Sequence, residues 1–332
     1  MEGLTVIVPA TDRPATLPAC LAAVRAADAG PDEILVVDEP VGGGPARARN
    51  LGAARARGEL LCFVDADVEV HADAFVRLRA AFAGAPDLVA AFGAYDDTPA
   101  APGVVSGFRN LLHHHVHVAG AGPAQTFWAG LGAVRRDAFA AAGGFDAARF
   151  PRSSVEDIDL GMRLAGAGAR IVLDPSIQGT HLKAWTLRSM LRTDFARRGV
   201  PWVVLLLEAG PDAWRAGLNL GWRHRFSAAA SVAAAGAALA RRPLAALSAL
   251  AVLACLNRGL YALLARRRGV GAAPLGVGLH VLHHLAGAAA VPVGAAAHLR
   301  RASARRVNDG HRGGSSTPRG ATIPTRREKP LA

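Results

Sequence analysis

The segment ELLCFVDADVEV, residues 59–70, decides the fold class of this chain. Its uninterrupted apolar run is typical of a strand that is buried on both faces, as in a parallel sheet. Two strands of the same kind precede it, LTVIVP at 4–9 and EILVVDE at 33–39, and apolar residues at helical spacing separate the strands. Alternating strands and helices predict an α/β fold with a doubly wound, mostly parallel sheet.

Acidic residues follow the first three predicted strands at the point where each strand ends. They are Asp12, Asp38, Asp65 and Asp67. Ligands of doubly wound sheets bind beyond the carboxyl ends of the strands, so we expect these side chains to converge on one edge. Asp-x-Asp also occurs in solvated turns. Its position here favours an Mg²⁺ or Mn²⁺ site, because such ions join protein carboxylates to substrate phosphates.

The second strand leads into a glycine loop at 42–44 and a helix predicted at 45–57. Asp38 can accept a hydrogen bond from a nucleotide base, or it can cap the next turn. The backbone N–H groups of the loop and the guanidinium of Arg49 can reach a diphosphate.

A helix predicted at 154–168 begins with Glu156 and Asp157. Acids at a helix N-terminus interact favourably with the helix dipole, which is a purely structural role. The long loop before this helix can return to the sheet edge, where a carboxylate would act as a general base. His181 follows a last strand predicted at 169–175 and lies within reach of the same ion, although a lone histidine is more often structural.

Residues 96–126 contain few regular patterns, so they predict an irregular segment. The histidines at 113, 114, 115 and 117 lack acids or cysteines at ligand spacing, which favours a surface loop near the acceptor or the membrane.

The last third of the chain is markedly apolar. Residues 226–240 and 243–257 are uncharged, but each helix would span only ~22 Å of a hydrocarbon core of ~30 Å. We therefore predict a hairpin that dips into the membrane, or a second helix that extends to Ala265. Residues 269–299 form a segment that is long enough to cross a membrane. These patterns predict a catalytic domain at 1–222, a membrane-associated helical region at 223–299 and a basic, disordered tail at 300–332.

The net charge of +12 also fits a membrane protein better than a nucleic-acid-binding protein. Many arginines flank the apolar runs, and aromatic residues that would stack on bases make up only 5% of the chain. Three widely spaced cysteines predict no disulfide. The first residues read as a strand rather than as a signal peptide, so we expect a cell-membrane protein with a cytoplasmic catalytic domain.

The order of these motifs along the chain resembles the pattern of the family 2 glycosyltransferases, which are inverting enzymes with the GT-A fold. The resemblance covers roughly residues 4–200. Its motifs are VIVPATDRP, EILVVDE, Ala48-Arg49-Asn50-Leu51-Gly52, Asp65-Ala66-Asp67, Gly143-Gly144-Phe145-Asp146 and Glu156-Asp157.

The resemblance implies a role for each matching residue. Asp38 would contact the base, Asp65 would lie near the ribose, and Asp67 would hold Mn²⁺ or Mg²⁺ with His181. Asp157 would be the catalytic base, with Glu156 beside it. Further donor-binding residues would be Pro9, Asp12, Arg49 and Asn50, and the acceptor side would include Trp128 and Gly130.

Two departures from the family pattern refine the prediction. Asp38 leads through Glu39-Pro40 into a short glycine loop instead of Asp-Gly-Ser, which affects recognition of the donor base. HLKAWTLRSMLRTD at 181–194 replaces the Gln-x-x-Arg-Trp motif of processive polymerases, so we expect one sugar per acceptor.

The predicted activity is metal-dependent, inverting transfer of a single sugar from a nucleotide-diphosphate sugar to a hydroxyl acceptor that is a lipid or membrane-associated. The alternatives are a catalytically silent nucleotide-sugar-binding scaffold and a nucleotidyltransferase, which would release pyrophosphate.

Overall fold

The computed structural model describes residues 2–211 and 221–312. Its central sheet has the strand order β2-β1-β3-β7-β5-β8-β4, and β6 pairs with β8. Strands β4, β6 and β7 run antiparallel to their neighbours, and the other five share one direction. The strands are β1 Leu4–Pro9, β2 Glu33–Val37, β3 Leu60–Val64, β4 Val68–Val70, β5 Leu88–Tyr95, β6 Gly122–Ala124, β7 Leu131–Arg135 and β8 Arg170–His181.

Helices cover both faces of this sheet, which confirms the predicted doubly wound, mostly parallel α/β architecture. One face packs on α1 and α3 through residues such as Val24 and Phe75, and the other packs on α2, α5 and α6. The helices of this part are α1 Leu17–Ala26, α2 Pro45–Arg55, α3 Ala74–Ala83, α4 Val104–Ala119, α5 Arg136–Ala141, α6 Glu156–Gly166, α7 Leu187–Arg192, a π-helix Thr193–Gly199 and α8 Val200–Ala209.

The segment 59–70 forms two strands, whereas the sequence predicted one. β3 ends at Val64, and Asp65 accepts a hydrogen bond from the N–H of Val68, which closes a tight turn. β4 then pairs antiparallel with the end of β8, with Val68 opposite His181. The Asp-Ala-Asp motif therefore occupies a turn, and His181 belongs to β8 rather than following the last strand.

The prediction of an irregular segment at 96–126 is wrong. Helix α4 occupies Val104–Ala119, and its buried face includes Phe108, Leu111, Leu112 and Val116. The spacing of these apolar residues is helical, so the sequence contained the signal. The histidines at 113–117 consequently lie on a packed helix and not on a surface loop.

The last four helices are α9 Trp222–Leu239, α10 Pro243–Leu256, α11 Arg258–Arg268 and α12 Ala272–Arg312. Helices α9 and α10 pack side by side as a hairpin, and the axis of α11 is bent by 80° from that of α10. The break falls at Asn257, whose side-chain amide donates to Ser227 Oγ at 2.8 Å. The predicted hairpin is present, and a continuous helix reaching Ala265 is not.

Helix α12 is long and apolar enough between Ala272 and Ser303 to cross a membrane, and the bent pair α10–α11 is a second candidate by length and composition. Helix α12 also packs against helices α4 and α8, which precede the C-terminal helices. The ring of His280 lies 5.7 Å from that of Phe108, and Gly294 packs so tightly on Val203 that a Cβ there would require movement. These contacts extend over ~21 Å of helix.

Helix α12 continues to Arg312 and so includes the first part of the tail that was predicted from residue 300. The rest of the predicted tail, 313–332, lies outside the described residues.

Candidate active site

The centre of the site is Arg49, on the buried face of α2. Its Nη2 donates to Asp65 Oδ1 at 2.6 Å, and its Nη1 donates to Glu156 Oε1 at 3.0 Å. Arg49 is 4% exposed. We call Arg49, Asp65 and Glu156 the Arg49 cluster. It joins the beginning of α6 to the end of β3, although Arg49 and Glu156 are 107 residues apart in sequence.

The charges of the Arg49 cluster are matched within the protein. Burial disfavours the charged guanidinium, but the negative charges of Asp65, Glu156 and Asp157 outweigh it and hold the pKa of Arg49 above its usual value. The second oxygen of Glu156 accepts the N–H of Ser154 at 2.7 Å. Arg49 was predicted to bind the diphosphate and Glu156 to act in catalysis, and both side chains are engaged in hydrogen bonds within the protein.

Asp157 lies next to the cluster and is half-buried. Its Oδ2 accepts the N–H of Ala129 at 3.3 Å, and the N–H of Asp65 donates to the carbonyl oxygen of Gly130 at 3.0 Å. Burial, and then the charge of Glu156, raise the pKa of the Asp157 carboxyl to about 6. A carboxylate with a pKa near neutrality is suited to general-base catalysis.

Trp128 and Gly130 lie in the same segment, on the predicted acceptor side. The indole of Trp128 covers Gly130 so closely that a Cβ at Gly130 would overlap it. The indole contacts Tyr95 edge-to-face, with ring centroids 4.8 Å apart, and it also packs on His113 and His117. Together these rings form an aromatic wall beside Asp157.

His117 of this wall is buried and contacts the backbone of β5. Nδ1 of His117 lies 2.9 Å from the carbonyl oxygen of Gly93. Burial lowers the pKa of His117 to about 4, so its ring is neutral at physiological pH. The position that the sequence predicted for His113 and His117, on a surface loop, is therefore wrong.

Asp67 and His181 form a second pair, across the β4–β8 ladder. Asp67 Oδ2 lies 3.4 Å from His181 Nε2, and His181 is 5% exposed. His181 Nδ1 lies 2.6 Å from Asn110 Oδ1, which can only accept, so Nδ1 carries the proton. The ring of Tyr95 stacks on the imidazole at 4.1 Å. The orientation of Nε2 towards Asp67 is thus fixed.

This Asp67–His181 pair fits two ligands of one Mn²⁺ or Mg²⁺ ion. Two donors bound at ~2.1 Å can lie 3.4 Å apart, and a ligating histidine usually donates its other N–H to an oxygen, as His181 does to Asn110. Among the described residues, no three His, Cys, Asp or Glu side chains converge on one point. Phosphate oxygens and water would therefore complete the coordination, which is common for Mg²⁺.

The predicted donor-base region lies beside the first two strands. Pro9 ends β1 and is buried, whereas Asp12 and Asp38 are exposed. The N–H of Gly42 donates to Thr11 at 2.9 Å, which joins the loops after β1 and β2. Among the described residues, neither Asp12 nor Asp38 forms a hydrogen bond with the Arg49 cluster.

The glycine loop contacts the loop that precedes α6. Gly44 has φ of 79°, and a Cβ there would overlap the carbonyl oxygen of Pro151. Only glycine meets both requirements without strain. This contact brings the donor-base region next to the chain that leads to Asp157.

Asn50 supports the site from behind. Its Nδ2 donates to the carbonyl oxygen of Phe145 at 2.7 Å, and its Oδ1 accepts the N–H of Phe145 at 2.9 Å. The ring of Phe145 in turn lies 5.4 Å from the Arg49 guanidinium. Both polar atoms of Asn50 are thus used within the protein, where they hold the Gly-Gly-Phe-Asp turn under Arg49.

Two residues that the sequence reasoning did not select also belong to the site, Tyr95 and Asn110. Tyr95 ends β5 and Asn110 lies on α4, and both contact His181. The signal for Asn110 was its place in the helical pattern of α4, which the sequence reasoning took for an irregular segment.

Residues 39–141 match the family model described as glycosyl transferase family 2. Among solved structures, the chain is similar to a mannosyltransferase from Pyrobaculum calidifontis in complex with GDP-Man and Mn²⁺. The TM-score is 0.52 at 17% identity, covering 86% of this chain and 87% of the other. A weaker similarity, with a TM-score of 0.41 and 15% identity, is to GalNAc-T7 with UDP, GalNAc and Mn²⁺, over 62% and 47% of the two chains.

No curated protein sequence matches the chain significantly. The matched segment contains Arg49, Asp65, Asp67 and Trp128, and the motif order together with the GT-A-like fold confirms the resemblance. Residues 39–141 are thus similar to the family 2 glycosyltransferases, and the chain has a GT-A-like fold.

Proposed function

We propose that this glycosyltransferase moves one sugar from a nucleotide-diphosphate sugar to a hydroxyl of a lipid or membrane-associated acceptor, with inversion and with help from Mn²⁺ or Mg²⁺. The observation that carries the proposal is the junction at residues 128–130. There Asp157 binds the N–H of Ala129, and the Arg49 cluster is joined through Asp65 to Gly130.

In this mechanism Asp157 takes the proton of the acceptor hydroxyl. The acceptor oxygen forms a bond to the anomeric carbon, and the bond from that carbon to the nucleoside diphosphate breaks on the opposite face. Arg49 and Glu156 act by holding Asp65 and the beginning of α6 in place. Positioning of this kind contributes to rate because the reacting groups meet in one geometry.

Asp67 and His181 would hold the metal ion, which supplies positive charge to the departing diphosphate. His181 is oriented by Asn110 and Tyr95, so the ion meets a preformed pair. The structurally similar mannosyltransferase was solved with GDP-Man and Mn²⁺, which supports the same ligand classes here.

The proposal also keeps the predicted contacts to the donor base and to the acceptor. Asp38 and Asp12 are exposed beside the glycine loop, where a nucleotide base can reach them. Trp128 is half-buried and offers an aromatic face to the acceptor.

The exposed apolar surface of the C-terminal helices supports the proposed attachment to the membrane. Leu239 is 87% exposed and Leu244 is 79% exposed, at the end of the α9–α10 hairpin. A large exposed apolar patch marks an interaction surface, and lipid is the partner that suits a surface flanked by Arg241 and Arg242. We place the catalytic domain on the cytoplasmic side.

The test is a transfer assay on the full chain with nucleotide-diphosphate sugars. Transfer should require Mn²⁺ or Mg²⁺, release a nucleoside diphosphate and vanish in Asp67→Ala. A thermal-shift screen of nucleoside diphosphates, and then of sugars linked to the nucleotide that binds, with and without Mn²⁺ identifies the donor first, because a bound ligand stabilises the folded state. Asp87→Ala is the matched control, since Asp87 is exposed and lies before β5, at the opposite end of that strand from the site.

Release of pyrophosphate would instead indicate nucleotidyl transfer. Binding without turnover under every metal condition would indicate a silent scaffold.

A further inference from the structure

A cavity of about 330 Å³ lies beside the loop that precedes α6, and no described residue with a proposed catalytic or metal-binding role lines it. Four parts of the chain line it: the loop 149–154, the π-helix with the end of α7, the beginning of α8, and the end of α12. We call it the arginine cavity, because its lining includes Arg149, Arg152, Arg192, Arg197 and Arg301.

The charges of this cavity are largely unmatched. Arg149 is neutralised, because it lies 2.5 Å from Glu208 and 3.6 Å from Asp159. The other four arginines are exposed and form no ion pair with the described residues, and no acid lines the cavity. Like charges that line one cavity repel one another. A bound anion would relieve that repulsion.

The rest of the lining is apolar. Phe150, Pro201, Val204 and Ala297 contribute to it. On α12 the neighbouring Leu299 is 66% exposed, in the same stretch that is apolar enough to meet a membrane. A ligand that places an anionic group on the arginines and a hydrocarbon chain on this apolar surface is an amphiphile. Phosphate is one of the anions whose geometry the guanidinium matches with two hydrogen bonds.

The position of the cavity relative to Asp157 restricts the ligand further. Ser154 lines the cavity, and its N–H is bound by Glu156 of the Arg49 cluster. Asp157 follows three residues later, at most ~10 Å along the chain. A bare lipid phosphate would place its nucleophilic oxygen in the cavity and away from the base. A sugar joined to the lipid through phosphate would span the gap and bring a hydroxyl to Asp157.

We propose that the arginine cavity binds the phosphate of a lipid-linked sugar, whose sugar hydroxyl is the acceptor of the transfer reaction. The inference rests on the proposed function and names its acceptor class.

The first experiment measures binding to the full chain in detergent by calorimetry, without donor or metal. The probes are farnesyl phosphate, farnesol and inorganic phosphate. Farnesyl phosphate should bind at least tenfold more tightly than either of the others. The triple variant Arg152→Gln, Arg192→Gln and Arg301→Gln should lose at least tenfold in that affinity. Arg188→Gln, an exposed arginine on α7 outside the cavity, should bind like the wild type.

Equal binding of farnesol, or unchanged binding by the triple variant, would overturn the inference. If the triple variant does not fold, the salt dependence of farnesyl phosphate binding to the wild type still tests the inference. The affinity of an anion-binding site falls as the salt concentration is raised. A farnesyl phosphate affinity that is insensitive to salt would therefore also count against the cavity.

The second experiment offers N-acetylglucosamine linked to farnesyl diphosphate, and farnesyl phosphate alone, as acceptors with Mn²⁺ and the donor found by thermal shift. The sugar-bearing lipid should be glycosylated and the bare phosphate should not. Phosphate-selective binding without any transfer would refute the proposed function and leave the binding site standing. Transfer that proceeds equally well to an uncharged glycosyl farnesol would refute the arginine cavity and leave the proposed function standing.

Discussion

The Arg49 cluster and the Asp67–His181 pair lie at the two ends of one short turn, yet they differ in how their charges are used. In the Arg49 cluster the guanidinium is buried between two carboxylates at 2.6 and 3.0 Å. In the other pair, a carboxylate and an oriented imidazole nitrogen face each other at 3.4 Å. The charges of the first arrangement are paired within the protein, and we propose that a metal ion completes the second. Substitutions in the first should affect stability, and substitutions in the second should affect ligand binding.

Asp157 lies next to the Arg49 cluster, and its replacement should have the largest effect on rate. Asp157→Asn removes the base but keeps the shape of the side chain, so kcat should fall by ~10²–10⁴. Donor binding should persist, which a thermal shift with the nucleoside diphosphate and Mn²⁺ would measure. Full activity in this variant would remove Asp157 from the role of base.

Arg49→Met should produce the largest loss of stability. It leaves Asp65 and Glu156 without their shared partner, and breaking a buried ion pair from one side costs ~3–5 kcal/mol. Chemical denaturation of the full chain would measure the change in free energy of unfolding. Arg13→Met is the control, because Arg13 pairs with Glu39 at 3.4 Å in an exposed position, where ~0–1 kcal/mol is expected. Similar losses in both variants would erase the contrast between a buried and an exposed pair.

Asn110→Ala should weaken Mn²⁺ binding with less effect on folding. The variant removes the acceptor that orients His181, and loss of such a partner typically lowers metal affinity by ~10–100-fold. Titration of Mn²⁺ in the presence of the nucleoside diphosphate would measure this loss of affinity. An unchanged Mn²⁺ affinity would mean that Tyr95 alone orients the imidazole.

The pH dependence should show the smallest effect, about tenfold per pH unit. The base must be ionised, and burial with the charge of Glu156 raises the pKa of Asp157 to about 6. The value of kcat/KM should therefore fall as the pH drops below about 6, whereas stability linked to this group should rise, since the folded protein binds the proton more tightly. A profile that remains flat from pH 7 to 5 would contradict the assignment.

The parts of the fold that follow from local pattern could be predicted from the sequence. Strands β1 to β3 are continuous apolar runs. The acids that come after them in the sequence could therefore be placed at the carboxyl ends of the strands. The Asp65-Ala66-Asp67 turn was placed at the right edge, although β4 was read as a continuation of β3. The apolar spacing of α4 was visible but was obscured by its four histidines.

Other features depend on contacts between distant parts of the chain. Nothing in the local sequence shows that Arg49 binds Glu156, or that Asn50 uses both polar atoms on Phe145. The alignment of Val68 with His181 depends on the register of β4 and β8, which is set by the whole sheet. The resemblance assigned residues to the site but did not show which of them pair with one another inside the protein, as Arg49 and Glu156 do.

The packing of α12 has a practical consequence for preparing the enzyme. His283 of α12 lies 2.8 Å from Asp194, which also pairs with the buried Arg109. Ala290 and Gly294 of the same helix close over Gly199 and Val203. A truncated version that ends near residue 222 would break the first contact and uncover the second, presenting apolar surface to water. Shortened soluble fragments should therefore aggregate, and detergent or bilayer mimetics with the intact chain are the suitable material.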